Sequence, residues 1–413
     1  MDFNIIKERI TENLNTLKKF TATPGNGCTR LPFTKEARAA VEYLKIVMKE
    51  AGLEVWEDAA GNVIGMLKGE DETLPCVMMG SHYDSVTNGG DYDGIAGVVC
   101  AIEVARQLKE NGIVPKRNFA AVGFCDEEGL RFGTGYFGSG AMIGKRDVEY
   151  CKKFKDTDGI SIYDAMVGYG LDPEVIGEAK WPEGSIDSFL ELHIEQGPVL
   201  DAEKIELGLV DCIVGIQRYM VTVHGRADHA GTTPMDMRLD AVDAATKVIS
   251  KIPDWAREKG AGTVATTGYI KTIPGGMNIV AEKVEFTVDI RSTNNDYIND
   301  IADKIRTALD YETGKMGGSY EMDNKLTITP VQLSEEMLQI MEEDCKEKRY
   351  SYKRLPSGAG HDALEIGQVI PTVMLFVPSK DGRSHCPVEH TDHADFAKAS
   401  VVMAGLAKKL LEK

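Results

Sequence analysis

Apolar and polar residues follow two different periods along the first part of the chain. Stretches with apolar residues every three or four positions predict amphipathic helices, whereas short continuous apolar runs predict buried strands. Thr34 is a good helix N-cap and Gly52 a good C-terminal glycine, and together they frame the second helix. The predicted helices are 4–20, 35–51 and 94–111, and the predicted strands are 54–57, 63–67, 76–80 and 118–125. Such alternation is typical of an α/β sheet with helices on its faces.

The pattern changes in the middle of the chain and then returns. Residues 219–225 alternate like a half-exposed strand and open a strand–helix–strand–strand–helix series, which is typical of a compact α+β domain. The series comprises strands 219–225, 262–270 and 282–290 with helices 238–259 and 295–315, and it is followed by helix 334–346, strand 370–377 and helix 395–411. We therefore expect one α/β domain with a mixed sheet, built from residues 1–212 and 329–413. A smaller α+β domain, residues 213–328, interrupts it.

Composition and charge narrow the class of protein. The 413 residues exceed the usual size of a single hydrophobic core, which agrees with two domains. The net charge of −18 disfavours nucleic acid as a partner. No apolar run approaches the roughly 20 residues that cross a bilayer, and the N-terminus lacks the basic start and apolar middle of a signal peptide. The lack of a long apolar run predicts no membrane partner. The eight cysteines are dispersed without a Cys-x-x-Cys pair, which predicts a reduced, cytoplasmic protein.

Candidate chemistry begins where the apolar run 76–79 ends. His82 and Asp84 follow it two residues apart, so strand alternation places both side chains on one side of the backbone. Asp84 can then orient the His82 ring, as carboxylates do for metal-binding imidazoles. Asp93 lies in a glycine-rich turn before a predicted helix, where it can use both oxygens, one per metal. For these residues alone, an Asp/Gly-rich surface turn with an unrelated histidine is an equally good interpretation.

Three consecutive acids, Asp126, Glu127 and Glu128, follow the apolar strand 118–125. The carboxyl ends of strands are where α/β sheets place ligand sites. Adjacent carboxylates repel one another, so burying them together is costly unless a cation or a proton compensates. A metal bound by Glu128 would resolve this and leave Glu127 free to move protons. The alternative is a solvated acidic turn.

Two histidines occupy similar positions at other strands. His193 lies in an apolar strand that stops at a Gly-Pro pair, and His385 follows strand 370–377, whereas His390 and His393 are expected to face solvent. Taken singly, His193 is as well explained as a core residue. The whole set offers nitrogen and oxygen ligands without thiolate, which suits zinc, manganese, cobalt or nickel in a catalytic site. Two metals bridged by one carboxylate, roughly 3.5–4 Å apart, activate a water for hydrolysis.

These motifs resemble a known family of enzymes. The elements His82-x-Asp84, Asp93, Glu127-Glu128 and His385 look like those of the di-metal aminoacylase/carboxypeptidase family of amidohydrolases. Five further runs narrow the resemblance to the branch that contains N-carbamoyl-L-amino acid hydrolases, allantoate amidohydrolases and β-ureidopropionases. These runs are GSHYDSV at 80–86, NGG at 88–90, LHIEQG at 192–197, HAGTTP at 229–234 and SGAGHDA at 357–363. The resemblance covers nearly the whole chain, with the motifs in the expected order.

The resemblance implies a catalytic domain that binds two divalent metal ions per subunit, of zinc, manganese, cobalt or nickel. The implied ligands are Asp93 as the bridge, His82 and His193 on one metal, and Glu128 and His385 on the other. Glu127 matches the general acid/base, and Asp84 matches the residue that supports His82. The resemblance also implies a homodimer in which the inserted domain makes the subunit contact and closes as a lid.

The inserted domain is implied to carry groups that bind the substrate. His229 resembles a histidine that reaches the partner subunit's active site and steadies the oxyanion. Asn278 and Arg291 match the pair expected to hold the substrate carboxylate, a task that suits the planar fork of arginine. Without the resemblance, His229 is better explained as a loop residue and Arg291 as a surface residue. The further implied substrate contacts are Gln196, Gln217 and Gly360.

The leading hypothesis is therefore a metal-dependent amidohydrolase that cleaves a C–N bond of a ureido acid. An N-carbamoyl-L-amino acid is the first choice of substrate, which would yield ammonia, carbon dioxide and the amino acid. Allantoate is the alternative within the branch, because it also carries a ureido group beside a carboxylate. A dipeptidase or aminoacylase with the same metal centre is a second alternative, and a non-catalytic binding relative is a third. An intact Glu127 argues against the third, because a binding protein has no need of a free base there.

Overall fold

A computed structural model describes residues 2–260 and 262–413 of the chain. These residues form two compact units. The first unit contains the described residues up to Asp211 together with Gln332–Lys413, and the second is Cys212–Val331. The chain therefore leaves the first unit and returns to it, and the division falls close to the expected limits at residues 213 and 328.

Helices and strands alternate along the described residues of both units, and the elements that lie between Cys212 and Val331 belong to the second unit. The α-helices are α1 (Phe3–Leu17), α2 (Lys35–Glu50), α3 (Ile95–Glu110), α4 (Phe137–Met142), α5 (Val148–Lys153), α6 (Ile162–Tyr169), α7 (Val199–Glu203), α8 (Ala241–Ile249), α9 (Ile252–Lys259), α10 (Asn295–Met316), α11 (Glu335–Lys348), α12 (Asp362–Ile366) and α13 (His393–Leu411). The strands are β1 (Glu54–Glu57), β2 (Val63–Leu67), β3 (Cys76–His82), β4 (Phe119–Phe124), β5 (Ile186–Ile194), β6 (Leu207–Ile213), β7 (Gly215–His224), β8 (Asp228–His229), β9 (Thr263–Thr266), β10 (Ile270–Ile273), β11 (Ile279–Val280), β12 (Lys283–Ser292), β13 (Ser319–Ile328), β14 (Val331–Gln332), β15 (Tyr352–Ser357) and β16 (Thr372–Val377). Three 3₁₀ helices cover Pro173–Ala179, Met235–Met237 and Lys380–Gly382. The Thr34 side chain caps α2 by accepting the Ala37 N–H, as the sequence predicts.

A mixed nine-stranded sheet forms the centre of the first unit. Its order is β1-β2-β4-β3-β5-β16-β6-β14, with β15 paired to β6. The middle of the sheet is parallel, because β3 runs parallel to both β4 and β5, and β5 runs parallel to β16. Every residue of β3, β4 and β16 is buried, so both faces of the sheet are covered there. The carboxyl ends of these parallel strands therefore meet at one edge, which is where the candidate ligands lie.

A five-stranded antiparallel sheet forms the second unit, in the order β10-β12-β7-β13, with β9 also paired to β12. Alternate residues of β7 and β12 are buried against the helices of this unit, including Tyr219, Val221 and Val288. The unit therefore has one apolar face under its helices and one more polar face, as its alternating sequence predicts.

Two predicted elements of this unit are each divided in the structure. The predicted helix 238–259 is two helices, α8 and α9, because Pro253 lies at the start of α9. Proline lacks an N–H and clashes with the carbonyl four residues before it, which is that of Ile249, the last residue of α8. The predicted strand 262–270 corresponds to β9 and the first residue of β10, and both strands pair with β12.

Candidate metal centre

His82 is the last residue of β3, and its ring is held among carboxylates. Its Nδ1 lies 3.2 Å from the Asp84 backbone carbonyl and 3.5 Å from Asp84 Oδ1. Its Nε2 lies 3.3 Å from Asp93 Oδ1. Burial opposes the charged ring, but the carboxylates of Asp84 and Asp93 raise the pKa of His82 well above its usual value. The pairing of His82 with Asp84 that the sequence predicts is therefore present.

Asp84 has a second contact that the sequence does not predict. Its fully buried carboxylate accepts the backbone N–H of Glu127 at 3.0 Å and that of Glu128 at 3.3 Å. These bonds fix the turn that follows β4 against the end of β3. Asp84 thus positions both the His82 ring and the two adjacent glutamates.

Asp93 lies at the centre of the cluster. Its Oδ1 is 3.3 Å from His82 Nε2 and 3.2 Å from His193 Nε2, and its Oδ2 is 3.3 Å from His385 Nε2. Burial opposes ionisation, but these imidazoles hold the pKa of the Asp93 carboxyl well below its usual value. The next residue, Gly94, has φ of 65°, and a Cβ there would lie 2.3 Å from the His82 ring. Glycine is therefore required at this position for the approach of the ring.

Glu127 and Glu128 point into the same cluster from the turn after β4. Glu127 Oε2 is 3.9 Å from His82 Nε2, and Glu128 Oε1 is 3.3 Å from His385 Nε2. Burial raises the pKa of Glu127 well above its usual value; the charge of His82 opposes this, while Glu128 adds to it. Two neighbouring acids thus have different surroundings, with Glu128 paired to an imidazole and Glu127 more distant from one.

Gln196 and Gly360, which the sequence predicts as substrate contacts, also belong to the first unit. The Gln196 amide nitrogen donates to Asp93 Oδ2 at 2.7 Å and lies 3.3 Å from His385 Nε2. Gly360 immediately precedes His361, the N-cap residue of α12, and a Cβ on it would meet the Tyr136 hydroxyl at 1.9 Å. Gln196 therefore contacts the candidate metal ligands Asp93 and His385, whereas Gly360 lies against Tyr136.

The remaining predicted substrate contacts are in the second unit. β8 and β11 pair with His229 opposite Ile279, and the Ala230 N–H donates to the Asn278 carbonyl, so His229 and Asn278 are neighbours. The Gly231 N–H donates to His229 Nδ1 at 3.0 Å. Nδ1 is thus an acceptor, so the proton of a neutral ring is on Nε2, which is a donor.

Gln217 and Arg291 lie on opposite faces of the five-stranded sheet. Gln217 pairs with Ile290 and shares its face with Tyr219 under the helices, whereas Arg291 pairs with Ile216. The Gln217 amide donates to Asn299 at 3.0 Å and accepts from the Tyr219 hydroxyl at 2.6 Å. Gln217 therefore lies under the helices and Arg291 on the other face, and their role as substrate contacts stays a prediction. The period of two from Tyr219 back to Gln217 is the signal in the sequence that places Gln217 on the inner face.

Comparison with known proteins places these residues in a family. Residues 78–409 match Peptidase family M20/M25/M40. The chain belongs to this family. An N-carbamoyl-L-amino-acid amidohydrolase of Paenarthrobacter aurescens is 41% identical over 98% of each chain, and an allantoate amidohydrolase of Bacillus subtilis is 36% identical over 94% of this chain and 93% of its own. A solved amidase of the hydantoinase/carbamoylase family from Burkholderia multivorans is 31% identical, covers 97% of each chain and has a TM-score of 0.88. The resemblance read from the motifs is therefore confirmed, together with the α/β fold and its second domain.

The donor set of this M20 family member fits metal ions. One ligand atom from each of His82, Asp93 and His193 lies within 4.8 Å of the others, and the same holds for Asp93, Glu128 and His385. Asp93 Oδ1 and Glu128 Oε1 are buried and make no hydrogen bond to any described residue, although imidazole nitrogens lie 3.2 to 3.3 Å away. Buried acceptors without a donor are costly, and a cation between these atoms would satisfy them.

Sequence reasoning missed two buried acids around the cluster. Glu191, on β5, accepts the Ser81 hydroxyl and the Ala363 N–H, both at 2.8 Å, and a ligand atom of it lies within 4.8 Å of ligand atoms of His193 and His361. Its signal is a glutamate between Leu190 and Leu192, in the buried part of β5. Such a residue needs polar partners, so it marks a polar interior.

The second missed acid is Glu389, which follows the His385 loop. Its Oε1 accepts the N–H groups of Tyr92 and Asp93 at 3.0 and 3.1 Å, and it therefore holds the turn that presents Asp93. The neighbouring His393 corrects an expectation. It is partly buried rather than solvent-facing, with Nδ1 2.8 Å from the Thr11 hydroxyl, whereas His390 is exposed as expected.

Metal affinity is expected to depend steeply on pH. In the metal-free protein, the carboxylates of Asp93 and Glu128, each 3.3 Å from ring nitrogen Nε2, raise the pKa of His385 to about 10. A metal ion binds the unprotonated ring, so near neutral pH it must displace this proton. Affinity should therefore increase with pH, about tenfold per pH unit for each proton displaced. Competition with a chromophoric chelator for Mn²⁺ between about pH 6 and 8 measures this slope. In the variant His385→Gln, the number of protons displaced per metal ion should fall by about one. A flat profile would contradict the prediction.

Proposed function

We propose that this protein is a metal-dependent N-carbamoyl-L-amino acid amidohydrolase. It is a hydrolase of C–N bonds of the carbamoylase/allantoate amidohydrolase type. The observation that carries the proposal is the geometry of Glu127, a buried carboxylate held beside a cluster of metal-ligand type whose own acids are paired with imidazoles. The choice of substrate within the branch rests on relatives named as N-carbamoyl-L-amino-acid amidohydrolases, which are 41% and 37% identical over 98% and 97% of this chain.

In this proposal His82, Asp93 and His193 would hold one divalent metal ion, and Asp93, Glu128 and His385 would hold a second, so that both sites would share Asp93. When bound, such a pair supplies Lewis acidity and a water whose pKa is lowered towards roughly 7. The donor set of nitrogen and oxygen accepts zinc, manganese, cobalt or nickel.

Glu127 acts as the proton carrier of the reaction. Its carboxylate takes a proton from the attacking water and later delivers it to the leaving nitrogen. The Glu127 N–H donates to Asp84, which fixes the backbone of Glu127. The Glu127 carboxylate therefore keeps its orientation while it gains and loses a proton. Burial raises the pKa of Glu127, which makes its carboxylate a stronger base towards the attacking water than an exposed glutamate.

The substrate carboxylate is proposed to bind Asn278 and Arg291 of the second unit. Arg291 donates from Nε to Asp289 Oδ1 at 2.9 Å, which holds its guanidinium on the open face of the sheet. His229 would donate from Nε2 to the developing oxyanion, since its Nδ1 already accepts the Gly231 N–H. Gln196 is a further proposed contact in the first unit. Gln217 would have to exchange its bonds to Asn299 and Tyr219 to serve the same purpose.

We also propose that the protein is a cytoplasmic homodimer that pairs through the second unit, with His229 acting in the partner's site. The cytoplasmic assignment is supported by the cysteines, all eight of which are free, with seven of them buried. Within the described residues, every helix is too short or too polar to cross a bilayer. Sedimentation velocity tests the dimer. Activity recovered on mixing inactive His229→Ala and Glu127→Gln subunits tests whether His229 acts across it.

An ammonia-release assay tests the proposed function. The purified protein, supplied with Mn²⁺, Co²⁺ or Zn²⁺, should release ammonia from N-carbamoyl-L-amino acids faster than from allantoate. A dipeptide and an N-acetyl amino acid, followed by an amine assay, should be poor substrates. Preference for allantoate would move the protein to the neighbouring activity of the branch. Turnover of the dipeptide alone would contradict the proposal while leaving the metal centre intact.

A further inference from the structure

Tyr136 has an uncommon backbone conformation directly beside Glu127. It is a bulky residue with φ of 55° and ψ of 37°, in the left-handed region that such residues rarely occupy. Hydrogen bonds of its own backbone and of the next residue hold it there, including one from the Gly140 N–H to the Tyr136 carbonyl at 2.9 Å. The Tyr136 N–H donates to the Glu127 carbonyl at 3.0 Å, the Arg146 Nη2 group donates to the Tyr136 carbonyl at 3.0 Å, and the Phe137 N–H donates to the Asp126 carbonyl at 2.9 Å. Residues kept in such conformations by their surroundings are concentrated at functional sites.

This backbone directs the Tyr136 side chain towards Gly360. The hydroxyl oxygen lies 1.9 Å from where a Cβ of residue 360 would be, so it occupies the space that the missing side chain leaves. Gly360 is itself a proposed substrate contact. The phenol thus lies between the turn of Glu127 and the segment before α12, in the part of the first unit where the reacting group of the substrate would bind.

The Tyr136 hydroxyl is available to a ligand. The hydroxyl makes no hydrogen bond to any residue that the structure describes, and Tyr136 is only partly buried. Burial raises its pKa, and so do the carboxylates of Glu127 and Asp362, so the hydroxyl remains protonated. The nearby Tyr150 is different, since its hydroxyl lies 2.5 Å from that of Thr134. Of these two tyrosines, Tyr136 is the one whose hydroxyl has no partner among the described residues and lies beside Gly360.

We propose that the Tyr136 hydroxyl accepts a hydrogen bond from the terminal amino group of the carbamoyl moiety and so selects ureido acids over N-formyl and N-acyl amino acids. The inference rests on the proposed function, because Glu127 places the scissile bond at this end of the substrate. A carbamoyl group differs from formyl and acetyl groups by its N–H donors. A hydroxyl surrounded by carboxylates is a suitable acceptor for such a donor, and a site built to pair a substrate N–H discriminates against analogues that lack it.

The test compares Tyr136→Phe with Tyr150→Phe and wild type on two substrates that share one amino acid, its N-carbamoyl and its N-formyl derivative. Loss of one neutral hydrogen bond should lower kcat/KM for the N-carbamoyl substrate about tenfold in Tyr136→Phe. The value for the N-formyl substrate should change less than about twofold. If the N-formyl compound is not turned over, its inhibition constant replaces kcat/KM. Tyr150→Phe should match wild type on both, and metal content and melting temperature should be the same in all three proteins.

Two results would overturn the inference. An equal loss on both substrates would mean that Tyr136 only positions Glu127, and no loss on either would mean that its hydroxyl does not contact substrate. These results leave the proposed function standing, because wild type still hydrolyses the ureido acid. Failure of wild type to hydrolyse any ureido acid would overturn the proposed function and this inference with it.

Discussion

Replacing Glu127 by glutamine should lower kcat by about 10²–10⁴-fold, which is the usual contribution of a positioned general acid/base. The amide has nearly the shape of the carboxyl group but cannot carry the proton. The backbone N–H of residue 127 still donates to Asp84, so the turn after β4 should keep its conformation. Metal binding should also persist, because the shortest contacts to the imidazoles come from Asp93 and Glu128 rather than Glu127.

The neighbouring acid supplies the matched control for this prediction. Glu128→Gln removes a carboxylate 3.3 Å from His385 and should lower metal content together with activity. Steady-state kinetics and metal analysis on both variants therefore separate proton transfer from metal binding. Retention of more than about a tenth of wild-type kcat by Glu127→Gln would exclude the proposed role, since this loss falls well below that expected for an acid/base.

Four of the candidate ligand positions could be predicted because they lie near or beyond the end of a buried strand, whereas Asp93 lies in the turn before α3. Apolar runs identify β3, β4 and β16, and the carboxyl ends of neighbouring strands in such a sheet meet at one edge. The sequence thus locates His82, Glu128 and His385 without stating that they touch. Their distances to Asp93 depend on the register between strands that are far apart in the chain. The hydrophobic periodicity of each strand does not determine that register.

Other parts of the site are hidden from sequence patterns for physical reasons. Glu191 and Glu389 each accept two hydrogen bonds from groups remote in sequence, and those donors cannot be identified from the residues beside the two acids. The left-handed conformation of Tyr136 arises from bonds to Glu127 and Arg146, and local propensity disfavours it. By contrast, the break between α8 and α9 could have been predicted, because Pro253 is a local signal that outweighs the helical period around it.

Asp93→Asn should abolish metal binding at both sites as well as activity. All three histidines of the cluster lie within 3.3 Å of this carboxylate, so one substitution removes the shared negative charge from both groups of ligands. Loss of a residue that only supports a metal ligand typically lowers metal affinity or activity about 10–100-fold. Loss of the shared ligand Asp93 should lower metal affinity by more than about 100-fold. Asp91→Asn is a matched control in the same turn, because Asp91 belongs to neither group of candidate ligands.

Thermal unfolding gives a readout of Asp93 that does not depend on activity. A metal present at about 1,000 times its dissociation constant stabilises the folded protein by about 4 kcal/mol, so a chelator should lower the melting temperature of wild type and of Asp91→Asn. Asp93→Asn should melt at the same temperature with and without the chelator, because it has no metal to lose. A chelator-dependent shift in Asp93→Asn equal to that of wild type would show that the metal is held without this carboxylate. The bridge between His82, His193 and His385 would then have to be assigned elsewhere.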